Sequence, residues 1–542
     1  MSKIKASSFL VSGISLPFDA EEQEFISCAK KKMKRGGIDP AMLHFRLYKR
    51  SIDARKKDNI RAVCTVLAEG EQSFSVEEKR LTENAIRLAK SSTPELRFGT
   101  EAMEGRPLVV GMGPCGMFAA LLLAENGYRP ILIDRGASVA ERVDEVDRFY
   151  RERRLNPSTN IQFGAGGAGT FSDGKLVTRI GDPSCNYVLQ RLHDFGAPDD
   201  VLTKAKPHVG TDVLRRVVEN LLHRIEELGG TLLYHCRLDG IKRGNGNTVI
   251  ASTTVGEISC GALILALGHS ARDTYGMLMR EGFTLSPKPF SVGVRVEHLQ
   301  SNIDKAMYGD AAGHPLLGHA EYSLSHTKGD RGVYTFCMCP GGEVVAAASE
   351  EGGVVVNGMS HYARNGRNAN AAVAVSVNPA DFGNDVTRAI EFQRQLERAA
   401  FALGGGDYTA PIQTMGDFME GTLTYEPTTV LPTYMGGNCK VAELSRMLPE
   451  FVTEGLKRGF SSFDRQVSGF ADPAAILTAV ETRTSAPLTI ARTQALTAPH
   501  DDLVYPCGEG AGYAGGITSA AVDGIRVALK IMERFSNKNY SK

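Results

Sequence analysis

The chain has no charge imbalance: 62 Lys+Arg offset 62 Asp+Glu. A globally basic nucleic-acid wrapper is therefore not expected. None of its ten cysteines forms a C-x-x-C pair, and the only close pair is Cys337 and Cys339. Zinc takes four ligands and no second pair lies nearby, so neither a metal site nor a disulfide scaffold is expected. A reducing cytoplasm is the simplest setting. G-x-S-x-G, H-E-x-x-H and Walker loops are all missing, which weighs against hydrolase and kinase chemistry. There is no internal repeat, no long low-complexity linker and no G-x-y period. The amino terminus has two lysines and a short apolar stretch, but polar residues interrupt it and no A-x-A site follows, so no signal peptide is expected. The uncharged run from Pro107 to Ala124 barely reaches spanning length. It carries four helix breakers, Gly111, Gly113, Pro114 and Gly116, so a buried strand, turn and helix are expected there, and no membrane span.

What remains is 542 residues, 42% of them apolar, with 58 glycines. That is material for several cores. Residues 1–98 read as a small separate α/β module. Strands are expected at Phe9–Phe18, Met42–Ile52 and Arg61–Leu67, and helices at Glu21–Met33 and Val76–Ala89, giving the order βαββα. The module holds 19 Lys+Arg against 13 Asp+Glu, a net +6. Lys30, Lys31, Lys32, Lys34 and Arg35 cluster at one helix end, where compensation of the helix dipole accounts for them. A surface for RNA or another anionic partner is the alternative.

From residue 99 the pattern changes. Leu108–Gly111 reads as a buried strand, Cys115–Asn126 as a helix and Pro130–Asp134 as the next strand, a βαβ unit with a parallel sheet. A helix is expected at Asp212–Leu228. Strands at Leu232–Ile241, Thr248–Thr254 and Glu257–Ala266 read as a meander. Residues 273–480 are rich in glycine, short strands and tyrosines, with helices near 385–403 and 441–457. They read as a mixed α/β substrate domain inserted into a nucleotide domain formed by 99–272 and 481–542. A strand, glycine turn and helix from Leu503 to Ile531 would close that domain.

Gly111, Gly113 and Gly116 satisfy G-x-G-x-x-G, with Pro114 and Cys115 inside the motif. The first glycine permits a tight turn, the second close approach of backbone to a pyrophosphate, and the third helix-to-strand packing. Free N–H groups at the helix start point at the phosphates. Asp134, 18 residues after Gly116, ends the next strand where a carboxylate can bond ribose hydroxyls. Two further glycine hexads, Gly164–Gly169 and Gly510–Gly515, lack the context of a second dinucleotide site. Both could wrap the same cofactor, since such loops offer free N–H groups; Gly167 and Gly169 belong to the first. The fingerprint alone does not choose between NAD and FAD. The far insertion, the meander and the closing turn favour FAD. The amino terminus of the last helix could point its dipole at the flavin pyrimidine and raise the potential.

These stretches are similar to the glutathione-reductase-like FAD superfamily. SIDARKK at 51–57, NIQFGAGGAGTFSDGKLVTR at 160–179, PHVGTD at 207–212, ALGHSARDT at 266–274, VNGMSHYARNGRNANAAV at 356–373 and GEGAGYAGGI at 508–517 more closely resemble a bacterial family of uncharacterised FAD-dependent dehydrogenases with an extra amino-terminal domain. The resemblance implies FAD on a Rossmann-like core and an inserted substrate domain. It implies an adenosine pocket shaped by Arg135 and Gly136. It also implies a loop over the ribityl chain and ring at Thr170, Ser172, Asp173, Gly174 and Lys175. Gly268 would approach the pyrophosphate, and Gly508, Glu509, Gly512, Gly515, Gly516 and Ile517 would close the site. Asp134 stands where many relatives in the superfamily carry Glu.

No C-x4-C pair follows the fingerprint, so disulfide-reductase chemistry is not expected. Candidates for chemistry are His361 and Arg364, which lie in an unusually polar stretch, and His269 and Arg272 just after Gly268. Cys339 lies before a glycine turn. An arginine fork would suit an anionic group. A solvated loop or ordinary packing explains each equally simply. The expected activity is hydride transfer between flavin and a small organic substrate, with NAD(P)H at most a transient donor. An RNA-modifying or RNA-binding flavoprotein and a flavin redox sensor are the alternatives.

Overall fold

The computed structural model describes residues 3–89, 93–329, 331–424 and 426–537. Within the first module, Lys3–Pro17 runs antiparallel to Arg61–Glu77, which pairs in turn with His44–Asp53. The helix Glu22–Arg35 buries Phe25, Ile26, Ala29 and Met33 against this sheet. The expected helix at Val76–Ala89 is corrected. The strand continues to Glu77, the helix spans only Glu78–Glu83, and Ile86–Leu88 returns as a fourth strand beside Phe9–Val11. Ala85 has φ +56, a left-handed residue that ends the helix and turns the chain back.

Five parallel strands form the central sheet, in the order Val504–Pro506, Ala262–Leu265, Pro107–Val110, Ile131–Ile133, Thr231–Leu233. In this mixed α/β, Rossmann-like arrangement the strands Val504–Pro506, Ala262–Leu265 and Pro107–Val110 are fully buried and read as apolar runs, while the edge strand Thr231–Leu233 is half-buried. The helices Pro114–Glu125 and Ile517–Arg534 pack directly against one another; at Gly524 a Cβ would overlap the carbonyl of Cys115.

Two of the three expected meander strands are split. His235, with φ +53, breaks the first, so Thr231–Leu233 joins the parallel sheet while Leu238–Arg243 starts the meander. Gly261 breaks the third; a Cβ there would overlap Met103, and Gly256–Cys260 and Ala262–Leu265 go to different sheets.

A seven-stranded sheet fills the segment between the two halves. Its order is Ser325–His326, Val333–Cys339, Asn368–Val377, Phe290–Leu299, Ile476–Glu481, Ala410–Thr414, Cys439–Val441. The helices Val386–Gly404 and Glu450–Asp464 lie on it. The second begins nine residues later than the sequence pattern predicts, because Pro449 occupies its N-cap and the preceding residues form a short strand and a 3-10 turn. Among the described residues, no helix is long and apolar enough to cross a membrane.

Candidate functional site

Three glycine turns meet at the carboxyl edge of the parallel sheet. Gly111 has φ +110, and a Cβ there would overlap the carbonyl of Ala266. A Cβ on Gly116 would overlap the carbonyl of Gly111, so only glycine lets the helix start this close to the strand. Gly113 caps that helix and Pro114 takes its first position. The N–H groups of its first turn have no intrahelical acceptors. Asp134 is buried; its carboxylate accepts from Met112 N at 2.9 Å and Gly136 N at 2.8 Å. Each oxygen keeps a further lone pair.

The second glycine loop lies against the first. Gly166 N donates to Met112 O at 2.8 Å, and a Cβ on Gly167, which has φ +63, would stand 2.9 Å from Gly113 Cα. Gly169 leaves its side-chain space to Ile517, whose Cγ1 would be 3.2 Å from a Cβ there. The closing turn completes the ring. Gly510 N donates to Leu267 O at 2.9 Å, Gly508 N donates to Asp523 Oδ2 at 2.8 Å, and Lys288 Nζ donates to Gly512 O at 2.9 Å. Side-chain space at Gly268, Gly515 and Gly516 is open. Glu509 beside them has its carboxyl pushed up to about 7 by burial, which outweighs the opposing charge of Lys288.

The loop expected over a ring is tied down by charge. Ser172 Oγ donates to Gly169 O at 2.6 Å and accepts from Gly174 N at 3.0 Å, and Thr170 is fully buried. Asp173 is fully buried and paired with Arg364, whose Nε donates to it at 3.0 Å. Arg364 also grips Glu321, and Lys175 Nζ stands 3.4 Å from the same carboxylate.

The Arg364 fork is thus filled by two carboxylates of the chain, Asp173 and Glu321. The Arg272 fork is filled in the same way. It is buried, donates to both oxygens of Glu397 at 2.8 and 2.9 Å, and reaches Glu350 at 2.6 Å and Gln393 at 2.9 Å. His269 is buried beside Ser270 Oγ at 2.9 Å, and burial with Arg483 and Arg272 nearby pushes its ring down to about 3, leaving it neutral. His361 sits on the surface. Arg135 is held by both oxygens of Asp273, at 2.8 and 2.9 Å, and covers the Phe163 ring at 4.4 Å. Gly136 gives the chain room beside Gly164, whose Cα would lie 2.7 Å from a Cβ.

Sequence reasoning missed the charged centre of the larger sheet. Arg295 is fully buried in the apolar strand Phe290–Leu299. It donates to Asn370 Oδ1 at 2.6 Å and Glu481 Oε2 at 3.1 Å, and its Nη1 lies 3.9 Å from Cys339 Sγ. Space for the guanidinium exists because residue 358 is glycine; a Cβ there would overlap it. Cys339 is fully buried, whereas Cys337, two residues earlier, is partly exposed with φ +46 at a bulge in its strand. Arg295 and Glu297, charged residues inside an alternating apolar run, were the available signal.

A family model described as FAD-dependent protein, C-terminal domain-like, matches residues 289–484. A domain of unknown function matches 11–69. An uncharacterized protein of Clostridium beijerinckii (strain ATCC 51743 / NCIMB 8052) is 46% identical over 529 residues, covering 96% of this chain and 98% of its own length. Solved structures resemble the chain more loosely. Halogenase PltM is 10% identical, with 80% of this chain and 72% of that one covered and a TM-score of 0.39. The flavin-dependent halogenase CmlS is 13% identical over 80% and 59%, at 0.36. For the thioredoxin reductase of Lactococcus lactis the match is 15% identical over 30% of this chain and 36% of that one, at 0.18. Likenesses this loose are silent on chemistry.

Proposed function

The chain belongs to the family of that Clostridium beijerinckii protein, and we propose that it is an FAD-dependent oxidoreductase acting on a small organic substrate. The observation that carries the reading is the meeting of three glycine turns, around Gly113, Gly167 and Gly516, at one helix start and one open cradle. The residues present fit a dinucleotide. Gly268, Gly515 and Gly516 leave unfilled space where side chains would otherwise stand. The starts of two helices, at Pro114 and Ile517, supply N–H groups to an anion. Asp134 has acceptor capacity left for ribose hydroxyls.

In this reading Gly113, Cys115 and Gly116 hold the pyrophosphate through backbone N–H groups, and Asp134 holds the adenosine ribose. Gly167, Gly169 and the 170–175 loop line the ribityl chain. The start of the last helix faces the ring pyrimidine. When bound, FAD supplies two-electron hydride chemistry. The protein orients it, excludes water and moves protons. Glu509 is the proton carrier at the closing turn, since its carboxyl changes state close to neutrality.

Substrate recognition does not rest on Arg272 or Arg364, whose forks are filled. Purified protein is expected to hold one FAD, removable and restorable, and to show flavin absorbance. Protein that neither retains nor takes up FAD sinks the reading. Stopped-flow mixing with NADH and with NADPH then tests whether either bleaches the flavin fast enough to be its donor.

A further inference from the structure

Arg142, in the helix Val139–Glu152, is fully buried, yet among the described residues no carboxylate forms an ion pair with it. Buried guanidiniums are ordinarily matched by an acid. The partners here are main-chain carbonyls instead. Nε donates to Asn160 O at 2.7 Å, Nη2 to Ile161 O at 2.7 Å, and Nη1 to Ala165 O at 2.7 Å and Gly164 O at 3.4 Å. All four oxygens belong to the stretch that leads into the second glycine loop. Burial pushes Arg142 down to about 9, with Asp134 opposing the shift, so the group stays charged near neutral pH. Bonds from a charged donor are roughly twice as strong as neutral ones.

The glycines of this loop make the arrangement possible. Gly164, Gly166 and Gly167 have φ +117, +83 and +63, so their peptide planes leave any regular ladder. A Cβ on Gly164 would stand 2.7 Å from Arg142 Cδ. An apolar side chain at position 142 would take the charged donor away from all four buried carbonyls, and such groups are costly to leave unpaired. Two contacts carry the effect onward to the segment assigned to the ring. Ala165 O also accepts from Thr170 Oγ1 at 3.3 Å. The Phe171 ring centroid lies 4.8 Å from the Arg142 guanidinium and 4.7 Å from that of Arg215. The same loop meets the first turn through Gly166 N and Met112 O.

We propose that Arg142 is the positioning residue for the flavin half of the cofactor, holding the loop from Gly164 to Phe171 in its binding shape before FAD arrives. This rests on the FAD reading above. Arg142 itself touches no cofactor atom, since its side chain is enclosed by the loop it holds. A loop already ordered does not have to be fixed on binding, and that ordering otherwise subtracts from affinity. The adenosine and pyrophosphate half depends on Gly113, Gly116 and Asp134, none of which hydrogen-bonds to Arg142.

The test compares FAD with ADP, which has the adenosine and pyrophosphate but no ribityl chain or ring. Both affinities are measured by calorimetry on the full-length apoprotein. R142M keeps the apolar stem and removes every donor; R142K keeps the charge on a single nitrogen. FAD affinity is expected to fall by about a hundredfold in R142M and about tenfold in R142K, and ADP affinity by no more than about threefold in either. Equal losses for the two ligands reveal a merely structural role and overturn the proposal, as does unchanged FAD affinity in R142M. A second measurement needs no variant. Amide hydrogen exchange of the wild-type apoprotein is expected to show residues 162–167 protected before any ligand is added. Exchange there at open-loop rates until FAD binds overturns the proposal. Wild-type protein that takes up neither FAD nor ADP overturns the FAD reading, and the proposal with it; normal FAD uptake with equal losses in the variants overturns the proposal alone.

Discussion

Cys115 Sγ lies 3.2 Å from Cys507 Sγ, joining residues 392 apart in the chain. One belongs to the first glycine turn and the other immediately precedes the last. The contact reports how the chain closes: the final strand inserts beside Ala262–Leu265 and delivers its turn to the start of the first helix. A Cβ on Gly508 would come within 2.9 Å of Cys115 Cβ, so the two turns have no slack.

That closeness makes the first glycine helix start intolerant of side chains. G116V is expected to abolish FAD retention outright, because the added carbons overlap the carbonyl of Gly111 and push the helix off the sheet. The ratio of flavin to protein absorbance after gel filtration checks this, with far-UV circular dichroism to confirm that the first module and larger sheet still fold. G256A, at a meander position with open space but φ +121, is expected to leave FAD retention intact and cost only about 1 kcal/mol of stability.

Asp134 offers a graded measurement. D134A removes the acceptor for a ribose diol and also frees Met112 N and Gly136 N. Hydrogen bonds to a charged group contribute about 1.5–3 kcal/mol, so FAD affinity is expected to fall by roughly tenfold to a hundredfold. D134N keeps one carbonyl acceptor and is expected to lose less. Fluorescence quenching on titrating FAD into the apoprotein gives both constants; equal affinity in wild type and D134A rules out the ribose role.

Much of the parallel-sheet core was legible because its signals are local. The pattern around Gly111, Gly113 and Gly116, followed by Asp134 at the end of Ile131–Ile133, is set by sterics over a few residues. Where the sequence pattern misled, a single residue had broken a run: Ala85, His235 and Gly261 each redirect a stretch whose periodicity is continuous. The candidate site was half legible. Arg272 and Arg364 read as free forks because their partners, Glu397 and Asp173, come from segments 125 and 191 residues away. Arg295 was hidden for a related reason. Its partners Glu481 and Asn370 sit on the two neighbouring strands, and only the sheet order brings the three together.

Glu397 is expected to be among the most sensitive positions in the chain. It is buried between Arg272 and Arg483, accepting from Arg483 Nε at 2.8 Å and Nη2 at 3.0 Å. E397A leaves buried Arg483 without a carboxylate and Arg272 with Glu350 alone, a loss of about 3–5 kcal/mol. The network spans the helix Val386–Gly404 and the helix start at Arg272, so the seam between the two large sheets is expected to loosen first. Limited proteolysis across that seam, with the urea midpoint, measures it. A shift below about 1 kcal/mol assigns the network to the surface class of ion pairs.

Acid is expected to unfold the protein in two stages, and the signs follow from two buried groups. His269 is pushed from 6.5 to about 3 by burial with Arg483 and Arg272 beside it. The unfolded ring takes up a proton that the folded ring refuses, so its contribution is complete above pH 6.5 and is lost as pH falls toward 3, by at most about 1.4 kcal/mol per unit. Glu321 is subject to burial that raises it, but Lys175 and Arg364 outweigh this and bring it from 4.5 to about 2. Its contribution is complete above 4.5 and is lost between there and 2. Thermal midpoints are therefore expected to decline gently from pH 6.5 and more steeply below 4.5. H269Q is expected to flatten the upper limb alone, because an uncharged amide binds no proton in either state, and E321Q the lower limb alone. A midpoint in H269Q that still falls between pH 6.5 and 5 assigns that limb to some other group.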